Sequence, residues 1–213
     1  LYEQKEELVA SVFDRLNRIG EPLTRQELRN AKYSGSQLLF TLKELANNPF
    51  WDEKLSRLKS VRMEDVEFIS ELFFVVLEGK ILDSSQDVLD GLYEKYHDSS
   101  NQIQQAVQDF SEVLSYINDL QIDFTTLKRL CWTTHLYSLF SIAWKLKTIG
   151  IPASEKSNAI NSFYSEYFSK NTQYEGYLKK YKDAASSRTR SESQRINRLQ
   201  ALLEFCNITT DHR

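Results

Sequence analysis

Between Leu127 and Leu146 the chain carries Leu130, Cys131, Trp132, Leu136, Tyr137, Leu139, Phe140, Ile142, Ala143 and Trp144, which surround a helical cylinder instead of striping one side of it. A helix apolar on nearly every side has no face to give to water, so other elements must enclose it. The enclosing elements are helical too. Only 6 Gly and 3 Pro occur in 213 residues, far below the usual shares of about 7% and 5%. That leaves little material for tight β-turns, and no strands recur at regular spacing. The fold class expected is all-α, an irregular multi-helix bundle around a central, nearly all-apolar helix.

The other helices read from their periodicity. Leu8, Val9, Val12, Phe13 and Leu16 stripe the first, and Gly20 sits where a left-handed residue ends a helix. Thr24 with Glu27 three residues later is a capping box that opens the second. Gln37–Asn47 is a helix stopped by Pro49, and the stripe Val66, Ile69, Leu72, Phe73, Val76, Leu77 is closed by Gly79. Ser85–His97 is short. Asn101–Leu120 carries Ile103, Val107, Phe110, Leu114 and Ile117 at alternating steps of four and three, a narrow stripe suited to an antiparallel bundle. Gly150 and Pro152 end the central helix, and tyrosine-rich helices follow over Ala153–Lys170 and Thr172–Ala184. Ser191 with Gln194 caps the last, striped by Ile196, Leu199, Leu202, Leu203 and Phe205. There is no internal repeat at solenoid periods.

Composition narrows the function classes. Hydrophobic residues make up 41% of the chain, enough for a core at this length, and the net charge is −3. Such a balance argues against wholesale coating of nucleic acid. Two unpaired-looking cysteines, Cys131 and Cys206, point to a reduced, cytoplasmic setting. With no run of about 18 apolar residues and no signal peptide, the expectation is a soluble protein with no membrane role. Charge is unevenly placed. Residues 64–123 hold 14 acidic side chains against Lys80 and Lys95, a net of −12. Residues 179–198 hold seven basic side chains against Asp183 and Glu192, a net of +5. The acidic block reads as solvated helix faces, or as a surface complementary to a basic partner or to the basic end of this chain.

Two sets of candidate binding residues follow. Phe13–Gly35 gathers Arg15, Asn17, Arg18, Arg25, Arg29 and Asn30 around two helix ends. Arg15, Asn17 and Glu27 either cap helices and lock a hinge, or complete a nucleotide site, since Asn can fix a phosphate or sugar and Arg brings a permanent charge. The second set is Arg188, Arg190, Arg195 and Arg198 in a Ser/Arg-rich stretch that opens the last helix. Arginine forks match phosphate oxygens and a helix start offers unpaired N–H groups, so this is the candidate nucleic-acid face. Tyr164, Tyr167, Tyr174, Tyr177 and Tyr181 either stack on bases there or pack as ordinary half-buried rings.

The run Phe13, Arg15, Asn17, Gly20, Leu23, Glu27, Leu28, Arg29, Asn30, Ala31 also carries a resemblance. It is similar to the stretch that closes the N-terminal domain in the bacterial GmrSD-type family of modification-dependent restriction and phage-defence systems. Leu42, Glu44, Leu45, Ala46, Asn48, Pro49 and Phe50, the Arg62–Met63–x–Asp65 run and Arg195, Ile196 and Leu199 fit the same pattern. Members look like a ParB-like, nucleotide-hydrolysing domain followed by a helical region. The family's Asp-Gly-Gln-Gln-Arg catalytic motif is absent from this sequence, and the chain starts at Leu1. The resemblance therefore implies a piece that begins after the catalytic half: residues 1–35 as the end of a truncated ParB-like domain or connecting helices, residues 36–213 as the helical domain. It implies Arg15, Asn17, Glu27 and Arg29 as nucleotide-site residues, with a nucleoside triphosphate and NTPase or endonuclease activity belonging to the parent. Partners would be DNA through that parent and a partner protein or nuclease domain.

Within the chain itself no catalytic residue stands out. His97, His135 and His212 are far apart, and His135 in the apolar helix reads as a satisfied core histidine. No cysteine or histidine spacing suits a metal, and no phosphate-binding, serine-hydrolase or zinc-protease motif occurs. The chain alone is expected to be inactive and to carry no cofactor. Two functions remain: the helical accessory region of a nucleotide-dependent restriction or phage-defence protein, or a structural protein-interaction module with no nucleotide or DNA role.

Overall fold

The computed structural model describes residues 22–59 and 61–208. Among them ten α-helices and no strand are found: α1 (Arg25–Lys32), α2 (Gln37–Ala46), α3 (Ser56–Lys59), α4 (Glu64–Glu78), α5 (Gln86–Tyr96), α6 (Ser100–Asp119), α7 (Thr133–Thr148), α8 (Ala153–Phe168), α9 (Gly176–Ala184) and α10 (Glu192–Phe205). The all-α expectation holds. The first striped helix, Gly20, Arg15 and Asn17 lie outside the described residues.

Local sequence sets most boundaries. The Thr24 side chain accepts the Glu27 amide while the Glu27 carboxylate accepts the Thr24 amide, the two halves of the capping box. Gly79 ends α4 at φ 67, a left-handed geometry that glycine adopts without a Cβ clash. Two boundaries and one cap differ from the sequence reading. Leu127–Leu146 is not one helix: Lys128–Cys131 forms a 3₁₀ turn, Trp132 is extended at φ −72, ψ 138, and α7 begins only at Thr133. Trp132 is consequently 52% exposed instead of lying on the central helix. The Thr172–Ala184 helix starts late, at Gly176, because Thr172 Oγ and the Tyr174 hydroxyl donate back to the carbonyls that end α8. The last helix has no side-chain cap from Ser191.

Helices α4, α6 and α7 form the centre. Helix α4 packs on α1, α2, α3, α5, α6 and α7, and α7 packs on α4, α6, α8 and α10. Helix α7 is buried on all sides from His135 to Ala143, as its sequence requires. Phe73, Phe110 and Phe140 bring one ring each from α4, α6 and α7 into a continuous aromatic contact, with neighbouring centroids 6.1 and 5.1 Å apart. Each such ring removes enough apolar surface from water to contribute about 1.5–3 kcal/mol. The tyrosines of α8 and α9 also belong to packing. Tyr164 and Tyr181 are fully buried, Tyr167 lies 4.8 Å from Tyr181, and the half-exposed Tyr177 packs on Phe205. Among the described residues no helix is long and apolar enough to cross a membrane.

Candidate functional site

The charged residues singled out in the sequence converge on α4. Glu67 and Glu71 stand one turn apart there and face inward, and guanidiniums from both ends of the chain meet them. Arg29 of α1, only 3% exposed, lies 2.8 Å from Glu67 and 2.7 Å from Asp90 of α5, and also donates to Gln26 and Gln86. From the other side Arg190 reaches Glu67 at 2.7 Å and Glu71 at 2.6 Å, and its Nε donates to Ser84 Oγ. Arg195 of α10 pairs with Glu71, donates to the Leu82 carbonyl at 2.8 Å, and stacks its guanidinium 3.7 Å over the Tyr137 ring. Asp90, Arg29, Glu67, Arg190, Glu71 and Arg195 thus form one alternating chain of charges, in which each inner member bridges two opposite charges. Where both partners are buried, as at Arg195 and Glu71, leaving either one unpaired would be costly.

Arg198 breaks the alternation. It is 0% exposed, and its three nitrogens donate to Ser138 Oγ at 2.9 Å, the Ala184 carbonyl at 2.7 Å and the Thr189 carbonyl at 2.7 Å. Among the described residues no carboxylate lies within ion-pair distance of it. Burial pulls its guanidinium below the usual arginine range, and the neighbouring Arg195 adds to that.

Of the four candidate phosphate-contacting arginines, then, Arg195 and Arg198 lie in the interior, directed at protein acceptors. Arg190 is exposed but bridges two glutamates, and Arg188 is exposed in a left-handed turn at φ 48. Of the nucleotide-site candidates within the described residues, Glu27 closes the capping box and binds Arg62 at 2.6 Å, a contact that holds its carboxyl below the usual range. Arg29 is the buried hub on Glu67 and Asp90 just described. Sequence reasoning did not single out Glu67 and Glu71. Their signal was available, since the two positions stand one turn apart among Val66, Phe68, Ile69, Leu72 and Phe73.

A polar cleft of about 250 Å³ opens beside this chain of charges, between α3, α4, the start of α7 and the start of α10. It is lined by Glu64, Glu67 and Glu71 of α4, by Arg190, Arg195 and Arg198, and by Thr133, Thr134 and Tyr137 of α7. His135 lies deeper and away from the lining. It is stacked at 5.7 Å on Tyr181, whose hydroxyl is 3.0 Å from Nδ1. Burial first, then Arg198 and Arg129, lower its pKa to about 4. Cys131 and Cys206 are unpaired thiols, and no group of three metal-binding side chains occurs among the described residues.

Compared with models of known protein families the chain matches none, and no curated protein and no solved structure matches it.

Proposed function

We propose that the chain is a helical interaction module that performs no chemistry of its own, its acidic helices α5 and α6 facing a partner protein of basic surface. The observation that carries the reading is the direction of the arginines. Three of the four that could have formed a phosphate-facing stripe are turned onto the protein's own carboxylates and carbonyls, while Asp87, Asp98, Glu112 and Asp119 stay on the outside. Glu67 and Glu71 are each bridged by two guanidiniums, so their carboxylates are engaged by the protein's own donors. A cytoplasmic location belongs to the same proposal. The test is fluorescence anisotropy with a labelled DNA duplex at low salt. No saturable binding is expected up to about 100 µM protein, the weak end of non-specific affinities. Binding that weakens with salt and is lost on Arg188→Ala would contradict it.

A second reading has the string Phe13–Ala31 behind it: the module is the helical region of a GmrSD-type defence protein. In that case a parent protein extended upstream would hydrolyse nucleoside triphosphates, and Arg15→Ala or Asn17→Ala would abolish turnover without lowering its melting temperature.

A further inference from the structure

We propose that the cleft beside α4 binds the phosphate group of a small phosphorylated molecule, held by the start of α7, Arg195 and Arg198. Three independent features meet there. Arg198 is a buried cation without a carboxylate partner among the described residues, and an isolated buried charge is costly until an opposite charge joins it. Three of its five N–H groups are engaged by protein acceptors, and the side chain borders the cleft. Arg195 lines the same cleft, is 3% exposed, and its buried Nε–H has no acceptor. Finally, α7 opens onto the cleft without a side-chain cap, because its preceding residue is Trp132, which has no acceptor to offer. The first amides of α7, with the positive end of a 16-residue helix behind them, therefore remain for an anion. Thr133 and Thr134 themselves line the cleft.

The carboxylates of the cleft do not oppose this. Glu67 and Glu71 are each neutralised by two guanidiniums, and Glu64 lies at the exposed first position of α4. Donors from α7 and from α10 line the same cleft, and a phosphate has more acceptor oxygens to offer them than a carboxylate. The cleft, at about 250 Å³, lies just below the range of about 300–1,000 Å³ usual for ligand pockets, which points to a small molecule and not a polymer.

Inorganic phosphate is the probe. The melting temperature should rise with the logarithm of phosphate concentration, above the value in potassium chloride of equal ionic strength. Thr133→Pro removes one amide and one hydroxyl, yet proline suits the first position of a helix and the extended Trp132 suits a following proline. This variant should melt as the native chain does in chloride and bind phosphate about tenfold more weakly, the loss expected of one or two hydrogen bonds to a charged group. Thr134→Val gives the same readout should Thr133→Pro not fold. A phosphate response equal to that of chloride, or undiminished in the folded variant, would overturn the site.

Discussion

His135 is a titratable group enclosed by aromatic rings, with its pKa lowered on folding to about 4. In the unfolded chain it binds its proton near the ordinary value of about 6.5. The unfolded state therefore takes up the proton first as pH falls. The contribution of neutral His135 is fully present above about pH 6.5 and is lost progressively down to about pH 4, at about 1.4 kcal/mol per pH unit. Urea unfolding across that window should show the decline, and His135→Gln should flatten it; an equal slope in the variant would place the titration elsewhere. That His135 is a core histidine was legible from its helix. The burial of Arg195 and Arg198 was legible too, though read otherwise: with Leu199 and Leu202 they fall at steps of three and four on one face. Charge drew the eye to phosphate where spacing pointed to the interior.

Whole elements were readable wherever a cap was encoded locally. The Thr24–Glu27 box and Gly79 mark helix ends by chemistry that operates within a few residues. What the periodicity did not reveal is the break at Trp132, since a 3₁₀ turn followed by a helix keeps apolar residues almost continuous. The end of α6 offers a test of the same local logic. Gln121 follows the C-cap Leu120 at φ 50, exposed, where a side chain is disfavoured by Cβ crowding. Gln121→Gly should raise stability by about 0.5–1 kcal/mol, the left-handed penalty relieved less the extra freedom glycine brings to the unfolded chain. A fall in the denaturation midpoint would mean that Gln121 makes a contact worth more than its strain.

At the scale of the molecule, one part of the acidic block and one part of the basic segment meet in a shared internal structure. Arg29 near the start of the described chain and Arg190 and Arg195 near its end share the glutamates of α4. Helix α1 is therefore tied across the boundary expected after residue 35, and Arg25 and Lys32 add ion pairs to Asp90 and Glu94 on α5. Pairing between segments more than 100 residues apart leaves no local trace in a sequence, so the −12 block and the +5 segment could be read as complementary, but Glu67 and Glu71 could not be picked out as the partners. The central claim is that the arginines of the Ser/Arg segment hold the fold together from within, and a pair of thermal melts tests it most directly. Arg198→Ala should cost about 3–5 kcal/mol or prevent folding, because it opens a cavity and strands the Ala184 and Thr189 carbonyls. Arg188→Ala, at the exposed turn, should stay within about 0.5 kcal/mol of the native protein. An Arg198→Ala protein that melts like the native chain would contradict the account.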